Sequence, residues 1–408
     1  MGAILRHSLY SFVFKVDPAR RETLIRLLKS FGDDGAAPGG LAFDRINTVH
    51  FASATLFDRP FLDPLLILEC NFDGGLDAFV DAFSQQALGL LPILNCRQGP
   101  PLTTAAEAAQ ALLRAARKPY AGHIGGHDLS RDEILASEAL AARVRAHIAD
   151  RQDDFHRLDA RQAARALQIA FAAQCPPLEP RRRGLKLALA WLAAIPIGAV
   201  ALILLPLLLI GAAAFLWAEA REPVRERPQA AADLAAVNEN RVGYAQNHFS
   251  SLAPLKTGPV RWASLRLVMA AIEFLARLVY TRGKLGDIPS IHFAHWTVVD
   301  QGSGLIFFSN YDGTWESYLD DFIQKAANGL TAVWSHCQGF PKSRWLVTGG
   351  ARDERAFKRY ARDSQAAEAV WYSAYPALTM RRILNNRAIM EGLTGRSRAA
   401  PESWLARL

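Results

Sequence analysis

Two segments of this 408-residue chain repeat each other's residues in the same order, and that repetition limits what the chain can fold into. Residues 45–101 and 288–341 match at a nearly constant offset. IHFAHWTVVD (291–300) lies on VHFASATLFD (49–58), pairing His292 with His50 and Asp300 with Asp58. SNYDGTWESYLDDF (309–322) lies on CNFDGGLDAFVDAF (70–83), pairing Asn310 with Asn71, Asp312 with Asp73 and Gly313 with Gly74. HCQGFP (336–341) follows NCRQGPP (95–101) after a slip of one residue. We read an internal duplication.

Each copy shows the same coarse pattern. In the first, LYSFVFKV (9–16) reads as a strand and PARRETLIRLLKSF (18–31) as a helix opened by proline. INTVHFASATLF and LLILECNF read as two further strands. GLDAFVDAFSQQAL carries Leu76, Phe79, Val80 and Phe83 on one helical face. PILNC (92–96) closes the copy as a fourth strand. The second copy repeats this with strands at 247–255, 289–299, 304–311 and 331–337 and helices at 258–282 and 314–328. The order β-α-β-β-α-β is the split βαβ or ferredoxin-like motif. Its sheet has helices on one face, so two such sheets can cover each other's bare faces.

On that topology and duplication the chain resembles the dimeric α/β-barrel superfamily, with both halves in one polypeptide. That superfamily includes dye-decolourising peroxidases, chlorite dismutase-like haem proteins and small cofactor-free monooxygenases. The expected fold class is α+β: two ferredoxin-like repeats packed as an intramolecular α/β barrel, with helical insertions and a membrane hairpin. The expected division is repeat 1 at 1–101, a helical insertion at 102–180, and a membrane segment with basic flanks at 181–228. Repeat 2 follows at 229–345, then a C-terminal helical extension at 346–408. Within that extension 353–395 reads as helical, with an aromatic cluster of Trp371, Tyr372 and Tyr375.

The membrane expectation comes from residues 187–217, thirty-one positions without a charged side chain. About 20 apolar residues span a bilayer core. A straight helix of this length would reach roughly 46 Å, against a core of about 30 Å. Pro196, Gly198 and Pro206 can break it. RRRGLK (181–186) carries four basic residues before the run and AEAREPVRERP (218–228) three after it, so both ends read as cytoplasmic. The expectation is a re-entrant hairpin with both globular halves on the cytoplasmic side and membrane lipids as partners; a tilted single span is the alternative. A net charge of +8 suits an anionic surface. There is no nucleic-acid motif, and no nucleic-acid partner is expected. Four cysteines without CxxC spacing read as reduced thiols.

His50 and His292 occupy equivalent strand positions. Alternation places His292 with Ala294 and Trp296 on one face and Ile291 with Phe293 on the other. The histidine and alanine face is expected to line the barrel interior, where a histidine can ligate haem iron, act as a base or organise the sheet interface by hydrogen bonding. His295 falls on the opposite face. Asp73 and Asp312 each precede a glycine at a strand–helix junction and read as helix caps. SNYDG (309–313) resembles the tail of the GxxDG motif of dye-decolourising peroxidases, with Ser309 in place of the first glycine. That resemblance implies a role for Asp312 in cleaving peroxide over haem. No motif assigns an axial histidine or a distal arginine, so the cofactor is not fixed by the sequence.

Glu69 is the one charge in LLILECNF; it reads as an acid/base group or a strand-end ion pair. His123 and His127 lie in a glycine-rich loop that fixes no third ligand, and no metal site is assigned. Ser130 and Glu133 form a capping box for the helix that follows. The expected site residues are His292, Asp312, His50 and Glu69. The expected function is a membrane-attached barrel binding a lipophilic small molecule, as an oxidoreductase for which the peroxidase resemblance implies haem, the cofactor itself staying open. A non-catalytic lipid-binding or scaffold protein is the competing reading. No Walker loop, dinucleotide-binding GxGxxG, HExxH or nucleophile elbow is present.

Overall fold

A computed structural model describes residues 7–176, 205–221, 239–278 and 288–408, apart from 38, 60, 61, 87, 88, 128 and 346. The architecture is α+β. One antiparallel sheet is built around β1 (His7–Lys15), β2 (Val49–Arg59) and β3 (Leu62–Asp73). β4 (Ala116–Arg117) pairs with β1, while β5 (Ala121–Ile124) belongs to the second sheet. That sheet is built around β6 (Gln246–Pro254), β7 (Ile291–Val299) and β8 (Gly304–Asp312). β9 (Ser343–Arg344) and β10 (Thr348–Gly349) form a separate ribbon, and β11 (Glu368–Ser373) pairs with β2. The strand orders are β11-β2-β3-β1-β4 and β5-β7-β8-β6. Both sheets therefore share one central order, with β3 or β8 between its two neighbours.

Each sheet has a helix-covered face. Phe12, Ala52, Ala54, Leu68 and Phe72 pack beneath Leu24 and Leu28 of the helix Arg21–Ser30 and Phe79 and Phe83 of Leu76–Gln86. Ala294, Trp296, Phe307 and Tyr311 pack beneath Leu265 and Met269 of Pro259–Leu278 and Tyr318 and Phe322 of Trp315–Trp334. The opposite faces meet each other. Phe57, Leu65 and Ile67 from the first sheet pack on Val299, Ile306 and Phe308 from the second. Phe51 and Trp371 pack with Phe293 nearby.

This corrects the expected faces of β2 and β7. Ala52, Ala54, Ala294 and Trp296 lie under the helices, where small residues let a helix approach the sheet. Register shifts at Val49/Phe51 and Ile291/Phe293 interrupt strict alternation. A bulge puts two consecutive residues on one side. His50 and Phe51 thus both face the other sheet, as do His292 and Phe293. The cross-sheet ring contacts His50–Phe293 and Phe51–His292 are both 5.3 Å between centroids.

The fourth strands are corrected too. PILNC lies in the helix Leu90–Leu94 and the turn after it, and 331–337 continues the helix Trp315–Trp334. Single bridges, Val16 with Arg97 and Leu255 with Cys337, remain where a strand was expected. The sheet edges are instead covered by two passing segments. Residues 116–124 pair first with β1 of one sheet and then with β7 of the other. Residues 365–373 do the reverse: Gln365 bridges Ser251 on β6, and β11 pairs with β2. An uncovered edge leaves backbone groups free to pair elsewhere, and each passing segment covers an edge of one sheet and then an edge of the other. The stretch 353–395 expected to be helical accordingly divides into the helix Glu354–Ser364, β11, whose EAVWYS composition suits a strand, and the helix Met380–Leu393.

The capping box at Ser130 and Glu133 is formed and starts the helix Arg131–Asp150. That helix packs with Met380–Leu393, sharing a cluster that contains Val144, Phe171, Met390 and Trp404.

The membrane localisation is overturned. Among the described residues no helix is long and apolar enough to cross a membrane. The apolar run contributes the helix Leu205–Arg221, 17 residues that include Glu219 and Arg221. At 1.5 Å per residue it spans about 25 Å, short of a core of about 30 Å. Residues 187–204 of the expected hairpin lie outside the described residues.

Gly125 is where the first passing segment leaves β7. Its N–H donates to the His292 carbonyl at 2.8 Å, and a Cβ there would sit 2.3 Å from the Ile291 carbonyl oxygen. Backbone cannot yield as a flexible side chain does. Gly125→Ala should therefore cost about 1–3 kcal/mol in urea unfolding. Gly126→Ala meets only ordinary contacts, the nearest at 3.6 Å, and should cost less.

Candidate functional site

All four residues singled out in the sequence lie between the sheets. Glu69 occupies the middle of β3 and is fully buried. Asn71 donates to its Oε1 at 2.6 Å and Asn310, from the second sheet, at 3.4 Å. Ser53 donates to Oε2 at 3.3 Å. Two histidines of the second sheet stand just beyond hydrogen-bond length: His248 Nε2 at 3.7 Å and His295 Nδ1 at 3.8 Å. Asn310 Oδ1 in turn contacts His248 Nδ1 at 3.0 Å and accepts from Trp371 Nε1 at 2.9 Å. Ser11 Oγ reaches His295 Nε2 at 3.1 Å.

Burial pushes the Glu69 carboxyl up to about 7, against the pull of its amide and hydroxyl donors. Burial holds His248 and His295 down to about 3, so both rings are neutral at neutral pH. The centre of the interface is therefore a carboxyl poised near neutrality between two uncharged imidazoles.

At one end of the sheets stand two histidine–aspartate pairs. His50 Nε2 lies 3.0 Å from Asp73 Oδ1, and His292 Nε2 lies 2.7 Å from Asp312 Oδ1. The second carboxylate oxygens accept backbone N–H groups at the starts of the paired helices: Asp73 from Arg131 at 2.8 Å and Asp312 from Met380 at 2.7 Å. The aspartates thus hold helix N-termini, as capping predicts, but of helices far along the chain. Thr314, not Asp312, caps Trp315–Trp334. Burial raises the Asp73 carboxyl, but the His50 hydrogen bond and the proximity of both the His50 and His7 rings outweigh it and hold it well below the usual range. Burial lowers His50 in spite of Asp73.

The two pairs differ in their neighbours. His7 faces Asp73 across β1–β3, whereas Gln246 faces Asp312 across β6–β8. Tyr375 Oη meets His50 Nδ1 at 2.8 Å. Gln246 accepts from Ser373 at 2.7 Å and donates to the carbonyls of Tyr375 and Leu378.

His50 and His292 share a cavity of about 10 Å³ with Tyr375, Phe293, Met380 and Ile383. That volume holds one water. It is far below the roughly 300–1,000 Å³ of small-molecule pockets. Beside these histidines the residues present do not fit a haem.

The larger space lies at the opposite end, a groove of about 830 Å³ between β1, the 116–120 crossing, Pro259–Leu278 and the Asp300–Gly302 turn. Lys15, Arg117, Lys118 and Arg266 line it, with the aromatic side chains of Tyr120 and Trp262 and apolar Val13, Leu65 and Val299. The Arg266 guanidinium lies 4.5 Å from the Trp262 ring. Asp300 carries the negative charge there and is already engaged by Arg59 at 2.7 Å and Lys15 at 3.3 Å.

Of the expected residues, Asp312 joins His292, His50 joins Asp73, and Glu69 stands apart between His248 and His295. His295 was assigned to the outer face because strict alternation was assumed; the bulge at Ile291/Phe293 reverses it. His248 and His7 were passed over, although both lie on strands whose partners carry Asn310 and Asp73. Comparison with family models, curated proteins and solved structures finds no match for this chain.

Glu69 gives the interface a signature in pH. Folded, its carboxyl keeps its proton to about pH 7; the ordinary value is 4.5. Between these the folded chain binds more protons than the unfolded one, so the contribution of Glu69 falls as pH rises from 4.5 to 7 and is level outside that window. Urea unfolding of wild type and Glu69→Gln across pH 4 to 8 isolates it. The wild-type stability relative to the variant should fall by about 3 kcal/mol over the window.

Proposed function

We propose that this chain is a duplicated, ferredoxin-like pair of repeats closed into a single α/β barrel, and that it works as a binding protein for an amphipathic anion. The shared strand orders and the two segments that pass between the sheets support the barrel. The groove carries the functional reading. It has the volume of a small-molecule site, aromatic and aliphatic walls, and four cationic side chains at its edge. A carboxylate, sulfonate or phosphate attached to an aromatic or aliphatic body matches that lining, which keeps the lipophilic small molecule expected from the sequence and adds a negative charge.

Binding is favoured over interior catalysis by where the polar residues lie. Glu69 has no exposed surface, and His50 and His292 share room for one water. An acid or base must reach the proton it moves. Those side chains instead tie sheet to sheet and strand to helix.

Fluorescence titration with 1-anilinonaphthalene-8-sulfonate, an aromatic sulfonate, tests the assignment, with uncharged N-phenyl-1-naphthylamine as control. The sulfonate should bind more tightly than the neutral probe and weaken with added salt. Arg266→Glu should lower its affinity by about tenfold, the effect of 1.4 kcal/mol, while leaving the neutral probe within twofold. Equal affinity for both probes, or indifference of the sulfonate to Arg266→Glu and Lys118→Glu, would overturn the reading.

A further inference from the structure

We propose that His7, His50 and Asp73 form a binding site for a divalent transition metal of the zinc class, independent of the groove and at the other end of the sheets. The three groups converge. His7 Nδ1 lies 2.9 Å and His50 Nε2 3.0 Å from Asp73 Oδ1, and each offers one ligand atom within 4.8 Å of the others. Both imidazoles are 1% exposed, so the donors are held away from bulk water. In a tetrahedral site with metal–ligand bonds near 2.0–2.1 Å, neighbouring donor atoms stand about 3.3 Å apart. Each histidine–carboxylate distance is within a few tenths of an ångström of that spacing, and the two nitrogens stand within 4.8 Å of each other.

The His7 ring marks this cluster as more than a hydrogen-bonded pair. Among the described residues neither of its nitrogens makes a well-aligned hydrogen bond, although Nδ1 is only 2.9 Å from the carboxylate. The nitrogen and the oxygen lie side by side, as two ligands of one ion do, rather than with an N–H aimed at an acceptor. A buried ring nitrogen without a partner is costly, and an ion on Nδ1 relieves half of that cost.

The surroundings suit the role. A metal-bound imidazole is oriented by what its other nitrogen meets, and a metal-bound carboxylate by what its second oxygen accepts. His50 Nδ1 meets the Tyr375 hydroxyl at 2.8 Å, and Asp73 Oδ2 accepts the Arg131 N–H at 2.8 Å.

The second half of the molecule supplies an internal control. His292 and Asp312 repeat the pair, and Asp312 likewise holds a helix N-terminus. In the place of His7 stands Gln246, whose amide is fully engaged with Ser373, Tyr375 and Leu378. The strand end therefore forms without a histidine. The imidazole at position 7 is what turns a structural pair into a three-donor set.

Cobalt(II) added to chelator-treated full-length protein is the test, read by the intense visible d–d absorption of a four-coordinate ion and by its displacement with zinc(II). Wild type should take one ion per chain with a rise in thermal midpoint. His7→Gln, which copies the residue the other half uses, should fold with an unchanged circular dichroism spectrum and bind cobalt at least ~100-fold more weakly, beyond the 10–100-fold typical of losing an outer-shell partner. His292→Gln should leave cobalt binding unchanged. The proposal is overturned if wild type binds no cobalt or zinc. It is equally overturned if His7→Gln binds as wild type does, or if His292→Gln weakens binding as much as His7→Gln.

Discussion

The buried carboxyl of Glu69 is the point on which the rest of this molecule turns. Its side chain accepts hydrogen bonds from both sheets, through Asn71 and Ser53 on one side and Asn310 on the other. A carboxylate in that place is costly to leave charged, and its pKa of about 7 expresses the cost. A buried polar group that is satisfied in only one arrangement penalises every alternative register. If β8 slid by one residue on its neighbours, Asn310 would turn to the helix-covered face and Glu69 would lose its donor from the second sheet. Glu368, on the strand that joins β2 from the other half, is a second sealed carboxyl, pushed up to about 8 by burial, with Glu69 adding to the rise. The interface thus carries two acids that the fold holds close to neutrality, within an otherwise aromatic layer of Phe57, Phe308 and Trp371.

The strand and helix pattern of each half was largely legible in the sequence, because its signals are local. Alternation in LYSFVFKV and the 3.6-residue spacing of Leu76, Phe79, Val80 and Phe83 are fixed by the core each element faces. The bulges were not legible. VHFASATLF alternates on paper, and only pairing with β3 shows that one step is inserted between Val49 and Phe51. That step and its counterpart between Ile291 and Phe293 separate each histidine from the alanines expected to share its face and put His295 in the centre. The site was legible as a set of residues and not as a geometry: His50, His292, Asp312 and Glu69 do gather between the sheets, but their partners His7, His248 and Asn310 come from strands distant in sequence.

The fourth strand failed for a different reason. PILNC is short and apolar, and such a run fits a buried strand or a buried helical turn equally well. What decided between them was competition for the sheet edge. Residues 116–124 and 365–373 are each long enough to pair with one sheet and then the other, so they satisfy two edges at once, where PILNC could cover only one. The same competition explains why EAVWYS leaves the helical pattern around it. Its backbone pairs with β2 while Trp371 reaches Asn310 across the interface.

The passing segments also account for the asymmetry between otherwise equivalent ends. Gly125 and Ala374 make the same backbone bond, to the carbonyls of His292 and His50 respectively, each at 2.8–2.9 Å. Immediately afterwards the first segment continues with Gly126 and the second with Tyr375. The tyrosine supplies the His50 Nδ1 with a partner, which a glycine cannot give His292, and both histidines border the small cavity. On the strands below, His7 and Gln246 diverge in a matching way, and the glutamine consumes the carbonyls of the tyrosine's own segment. Each end has therefore settled a different polar account around the same histidine–aspartate pair. In one, an amide closes every bond and leaves a structural clamp. In the other, an imidazole stands 2.9 Å from the carboxylate without a well-aligned hydrogen bond among the described residues, so that three donor atoms converge instead of two.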